Sequence, residues 1–179
     1  TKERVTNSNA ECRDAIGEFD VSKVVAKLMK NAELIDEICA YTRLQDDLNA
    51  KKDLGKLEKA KKVKSDKYFA AIGRNTDRIF VVEGDSASGG LIKCLGRKGN
   101  AFYALKGVPL NVLEVSHQKF MANKELSELY SIITMFPEAE ICLATDADAD
   151  GMRITGLVSL FMFKYFPEHL NNGKMKILR

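Results

Sequence analysis

Two short apolar runs in this chain stop on carboxylates, and a helix-like pattern follows each. Ile79-Phe80-Val81-Val82 leads into Glu83-Gly84-Asp85-Ser86-Ala87, and Ile141-Cys142-Leu143-Ala144 leads into Thr145-Asp146-Ala147-Asp148-Ala149-Asp150-Gly151. A strand buried on both faces reads as a continuous apolar run rather than an alternation. Carboxylates at its end therefore face the rim of a sheet, where open α/β folds bind their ligands. Glu83 with Asp146, Asp148 and Asp150 is a hard-oxygen set, with no His or Cys between them, and suits Mg²⁺. The three Asp alternate, so in an extended stretch they share one side. Like charges so close repel unless a divalent cation neutralises them. The pattern predicts a magnesium site built on a parallel sheet.

The rest of the chain supports that frame. Strands are predicted over 79–82, 101–105, 140–144 and 174–178, and helices over 86–95, 116–121, 124–136 and 150–166. Strands alternating with helices imply an α/β fold with a parallel sheet. Residues 1–50 lack β-rich runs and read as a helical extension. Asp20 or Ser22 caps a helix carrying Val24, Val25, Leu28 and Met29. Over 32–48, Leu34, Ile35, Ile38, Tyr41 and Leu44 form an amphipathic stripe. Residues 51–77 are basic and polar and read as a connector, placing the α/β domain at 78–179. Between Lys51 and Lys67 eight Lys face only Asp53, Glu58 and Asp66. Such a run is either a solvated face or linker, or a phosphate-contacting arm with steeply salt-dependent binding.

Several classes are excluded or disfavoured. With 45% hydrophobic residues and no Trp among 179 residues, the composition is that of a globular chain. No apolar run reaches the roughly 18 residues of a membrane span, and no signal peptide opens the chain. The start, Thr1-Lys2-Glu3-Arg4, is expected of a piece cut from something longer. Cys12, Cys39, Cys94 and Cys142 show no CxxC spacing, which argues against zinc and for a reducing cytosolic setting. The run from Asp146 imitates half of an EF-hand, but loop position twelve is Leu157, which cannot ligate calcium. Gly84-Asp85-Ser86-Ala87-Ser88 imitates a nucleophile elbow but has Ser88 where that turn needs Gly. Ser86 is better placed to open a helix whose N-terminal amides face an anion. No G-x-x-x-x-G-K-[ST] occurs, so no Walker-type ATP site lies in these residues.

Taken together, these residues resemble the TOPRIM domain of type II DNA topoisomerases. The family's E-G-D-S-A is Glu83–Ala87 here, and its T-D-x-D-x-D-G is Thr145–Gly151. Its P-L-R-G-K-[IL]-L-N-V loop is similar to Ala104-Leu105-Lys106-Gly107-Val108-Pro109-Leu110-Asn111-Val112. Ser116-His117-Gln118-Lys119, Asn123, Glu125 and Phe163-Lys164-Tyr165-Phe166-Pro167 resemble the eukaryotic branch more than bacterial gyrase. The Ser88-Gly89-Gly90 variant suggests a phage-type large subunit. Thr1-Lys2 resembles the end of the family's Q-T-K motif, whose lysine reaches the ATP γ-phosphate.

The resemblance implies a Rossmann-like TOPRIM sheet flanked by helices. It also implies Mg²⁺-assisted cleavage and religation of double-stranded DNA. Glu83 and Asp146 would hold metal at the scissile phosphate, while Asp148, helped by Asp150, would hold a second metal or steady the first. Mn²⁺ or Ca²⁺ would substitute in binding. The catalytic set is Glu83, Asp146 and Asp148, with Glu83 either a ligand or a general acid/base. Lys106, Arg153 and Ser86 would contact DNA, and Lys2 would reach ATP held by a domain outside these residues. Lys106 stands for the family's Arg, Val108 for its Lys, and Met152-Arg153 for its Ser-His, so the DNA contacts are expected to be rearranged around an intact metal site. The nucleophilic tyrosine would come from another domain or subunit, in a homodimeric or heteromeric assembly in the host cytoplasm or at the nucleoid. The chain alone is expected neither to cleave DNA nor to hydrolyse ATP. Two further readings are another TOPRIM nucleic-acid enzyme, such as a primase or nuclease, and a non-catalytic assembly module.

Overall fold

The computed structural model describes residues 21–59 and 63–178. The chain divides into two compact units, Thr1–Asp47 and Leu48–Arg179. In the first, helix α1 (Val21–Leu28) precedes α2 (Ala32–Glu58), whose start is capped by Asn31 Oδ1 accepting from the Leu34 N–H at 3.2 Å. Ser22 lies inside α1 rather than capping it, and Asp20 lies outside the described residues. Val25, Met29, Ile38, Tyr41 and Leu44 are exposed.

From Leu48 the last turns of α2 belong to the second unit. The helix runs ten residues past its predicted end because Lys is a good helix former and because Leu54 and Leu57 pack on the core. Glu58 Oε1 accepts from the Tyr130 hydroxyl at 3.1 Å, tying this end to the domain.

The elements that follow are β1 (Tyr68–Phe69), β2 (Arg78–Glu83), α3 (Gly84–Leu95), β3 (Asn100–Leu105), α4 (His117–Ala122) and α5 (Lys124–Met135). Then come β4 (Glu140–Ala144), α6 (Ala149–Tyr165), α7 (Pro167–Asn171) and β5 (Met175–Leu178). The sheet order is β1-β3-β2-β4-β5. The four predicted strands pair in parallel, and β1 adds an antiparallel edge to β3 through Tyr68↔Tyr103 and Phe69↔Phe102.

Alternate residues of the central strands feed two cores, which is why the runs read as continuously apolar. Ile79, Val81, Tyr103, Leu105, Ile141 and Leu143 face one way, into a core with Leu126, Leu129, Ile154, Val158 and Phe161 of α5 and α6. Phe80, Val82, Phe102, Ala104 and Cys142 face the other way and pack with Ala87, Leu91 and Ile92 of α3. The Phe80 and Phe102 rings stack at 5.1 Å. Burying each large aliphatic or aromatic side chain contributes roughly 1.5–3 kcal/mol. That burial fixes β2 and β4 side by side and so decides where their ends emerge.

Candidate metal centre

The chain leaves β2 toward β3 by way of α3, and leaves β4 toward β5 by way of α6. Adjacent parallel strands whose connections depart in opposite directions open a crevice at their C-terminal ends, where such sheets bind ligands. Glu83 is the last residue of β2. Val82 pairs with Ala144, so Glu83 and Thr145 leave the sheet next to each other. Gly84, at φ 80°, makes the sharp turn into α3.

The Asp146–Asp150 run spans the opposite lip. Asp148 is extended and caps α6, its Oδ1 accepting from the Gly151 N–H at 2.7 Å. Thr145 Oγ1 and Thr155 Oγ1 lie 2.8 Å apart in a hydrogen bond, joining the loop to the second turn of the helix. A hollow of about 410 Å³ beside the run is lined by Ala87, Gly90, Leu91 and Ala144 together with Thr145 and Asp146.

Glu83 Oε2 is fully buried and has no hydrogen-bond partner. Burial raises the Glu83 carboxyl above its ordinary value, and the charges of Asp148, Asp146 and Asp150 raise it further; a backbone hydrogen bond from Asp146 works the other way. The four predicted ligands therefore share one field at one rim. They do not form a closed cage: among the described residues no three His, Cys, Asp or Glu stand in a ligating arrangement. Asp148 uses one oxygen on its helix. The orphaned oxygen, the mutual repulsion and the all-carboxylate donor set fit a hard divalent cation.

The predicted DNA contacts lie around this rim. Ser86 is exposed in the first turn of α3, a helix with no side-chain cap at its N-terminus. Lys106 is exposed just past β3, its Nζ 3.8 Å from Asp85 Oδ2. Arg153 is exposed in α6. Ser88 is buried and donates to the Asp85 carbonyl at 2.7 Å, which makes it a packing residue of the turn. Lys2 lies outside the described residues.

Three supporting residues carry no signal of their role in the sequence. Thr155 and Glu125 bind loop groups through hydrogen bonds, and Lys164 donates to the Val112 carbonyl at 2.6 Å. Their partners lie 10 to 52 residues away, with no local spacing to announce them.

The model of the Toprim domain family matches residues 78–179, a range that holds all of β2 to β5 and both lips of the crevice. The chain belongs to the Toprim family. It is 31% identical over 196 residues to the B subunit of DNA topoisomerase 4 from Caulobacter vibrioides, covering 98% of this chain and 27% of that protein. With the protein of the same name from Borreliella burgdorferi the identity is 28% over 166 residues, covering 88% of this chain and again 27% of the relative. The B subunit of DNA gyrase from Rickettsia typhi is 30% identical over 109 residues, 55% of this chain and 14% of its own length. The chain thus spans about a quarter of these two topoisomerase 4 relatives. In fold, this Toprim chain is similar to the Plasmodium falciparum topoisomerase II DNA-binding, cleavage and re-ligation domain. The TM-score there is 0.56 at 24% identity, covering 63% of this chain and 18% of the other.

Proposed function

We propose that this Toprim domain is the metal-binding part of an ATP-dependent type II DNA topoisomerase, acting in double-strand cleavage and religation. One observation carries the reading: Glu83 presents a buried, unpartnered oxygen in the β2–β4 crevice, opposite the alternating Asp run whose charge it feels. The names of its relatives point the same way.

In this reading Glu83, Asp146 and Asp148 hold Mg²⁺, with Asp150 in support, and Mn²⁺ or Ca²⁺ can take its place in binding. A bound divalent ion stabilises charge on the oxygen that leaves a phosphodiester, commonly by several kcal/mol of barrier. Lys106 and Arg153 neutralise DNA phosphates, and Ser86 at the uncapped start of α3 presents amide N–H groups to another. The attacking tyrosine comes from another domain or subunit, leaving a 5′-phosphotyrosyl link and a free 3′-OH, and the reverse step reseals the strand. The raised Glu83 carboxyl supports the alternative role for this residue, holding a proton for the 3′ oxygen in place of ligating the ion. ATP binds outside these residues, with Lys2 reaching it. The working unit is a homodimeric or heteromeric assembly in the cytoplasm or at the nucleoid. Among the described residues no helix is long and apolar enough to cross a membrane.

The test has two arms. Calorimetric titration with Mg²⁺ or Mn²⁺ should show binding to the chain, lost in an Asp146→Ala, Asp148→Ala variant. In an enzyme reconstituted with a tyrosine-bearing subunit, Glu83→Ala should lower cleavage by about 10²–10³-fold, the usual scale for losing one transition-state contact, with assembly intact. Undiminished cleavage in Glu83→Ala would make the domain an assembly module.

A further inference from the structure

Lys106 sits where β3 gives way to a loop, and one carboxylate from another element holds it there. Glu125, in the first turn of α5, accepts the Lys106 backbone N–H on Oε1 at 2.9 Å. The same oxygen accepts the Lys67 ammonium. Both charged side chains are largely withdrawn from water, Lys67 at 20% and Glu125 at 18% exposure. The turn that carries Glu125 is itself fixed. The hydroxyl of the fully buried Tyr103 shares its one proton between the Glu125 carbonyl and Glu128 Oε2, each at 3.0 Å. Ser65 Oγ donates to that same Glu128 oxygen at 2.7 Å, and Asn123 caps the helix through the Leu126 N–H at 2.9 Å.

The Lys106 side chain, by contrast, projects into solvent 3.8 Å from Asp85 at the rim. The next residue, Gly107, takes φ 93°, so the chain turns sharply immediately past the anchored amide. A charge-assisted N–H···O⁻ bond is roughly twice as strong as a neutral one, and here it closes the last fixed point before that turn. Losing the acceptor leaves a strand-end N–H unpaired, and the backbone then moves to find water.

We infer that Glu125 is a positioning residue for Lys106: it acts through the backbone N–H to hold the lysine ammonium at the acidic rim, and the Lys67 contact keeps the Glu125 carboxylate aimed. The inference rests on the proposed role of Lys106 as a DNA phosphate contact. Glu125 itself touches no DNA.

The test uses the 179-residue chain with Glu125→Ala, Glu125→Gln, Lys106→Ala and the Glu125→Ala, Lys106→Ala pair. Two readouts apply: amide hydrogen exchange at Lys106, and fluorescence anisotropy on a short DNA duplex across a salt series. Glu125→Ala should speed exchange of the Lys106 amide at least tenfold. It should also weaken duplex binding as much as Lys106→Ala does and lower the salt slope by about 0.9, the loss of one phosphate contact. The double variant should bind no worse than Lys106→Ala alone, because both changes remove the same contact. Glu125→Gln keeps an acceptor oxygen and a folded turn, and should restore most of the affinity. Additive losses in the double variant, or a Lys106 amide that exchanges as before, would overturn the inference. If Lys106→Ala leaves duplex affinity unchanged while Glu125→Ala still frees the amide, the fault lies with the DNA-contact reading and the anchor stands.

Discussion

A Cβ atom on Gly151 would lie 2.1 Å from the carbonyl oxygen of Asp146. The first turn of α6 is therefore packed directly against the backbone of the acidic loop, and no side chain fits between them. Gly151→Ala must push one away from the other. The expected cost is about 1–3 kcal/mol, the range for inserting a methyl into a filled space, and Mn²⁺ binding should weaken with it. Thermal melts and a metal titration on the variant check both effects.

Glu83 should make the metal-free fold less stable at neutral pH. Its folded pKa is raised above the ordinary 4.5, so the folded state binds the proton more tightly than the unfolded chain does. Its contribution is fully present below pH 4.5 and is lost as pH rises through the raised value. Glu83→Gln should therefore melt higher than the wild type at pH 7, and the two should converge below pH 4.5. Excess Mg²⁺ should then raise the wild type by about 2.7 kcal/mol at a hundredfold excess over the wild type's Kd, and the variant by less.

His169 predicts a pH effect of the opposite sense at the far end of the sheet. The ring is 7% exposed and its Nε2 has no partner. Burial lowers its pKa below 6.5, the Lys174 charge lowers it further, and Glu138 and Glu168 pull the other way. The unfolded chain takes up the proton first, so stability holds above pH 6.5 and falls as pH drops below it toward the folded value. Urea unfolding of the wild type from pH 8 to pH 5.5 should show that fall, and His169→Phe should flatten it.

Tyr103→Phe removes a buried hydroxyl whose one proton is shared between Glu125 O and Glu128 Oε2. Glu128 Oε2 keeps its bond from Ser65, so no carboxylate is stranded. A loss of about 1 kcal/mol is expected, the net worth of an ordinary hydrogen bond, measurable as a shift in the urea midpoint.

Thr155→Val would strip the Thr145 hydroxyl of its partner at 2.8 Å. Stability should drop by about 1 kcal/mol, Mn²⁺ affinity should fall, and Thr155→Ser should recover both.

The part of this molecule legible in its sequence is the part set by local pattern. Phe80 and Val82 face one core while Ile79 and Val81 face the other, which is what an unbroken apolar run signifies, and Glu83 follows at the strand end as such a run requires. The boundaries predicted for β4 hold to the residue. The two-residue strand β1 reads as connector because Tyr68 and Phe69 stand in a basic polar stretch; only pairing with β3 makes it a strand. The helix predicted over 32–48 continues through Gly55 to Glu58 because Leu54 and Leu57 find a core that local periodicity cannot announce. At the site, the four carboxylates are legible as chemistry. That Asp148 gives an oxygen to its own helix is not, since capping and ligation call for the same residue in the same place. The Lys67–Glu125 pair joins residues 58 apart and needs the fold itself to be seen.

Helix α6 begins at the Asp148 cap and ends one residue after Lys164, whose ammonium grips the Val112 carbonyl at the far side of the loop after β3. At 1.5 Å per residue it is a rod about 25 Å long, clamped at one end to the acidic loop and at the other to the loop after β3. Mechanically it is a strut. One end is held by a carboxylate on an amide and the other by an ammonium on a carbonyl, so the position of the helix along the sheet is set from both ends at once.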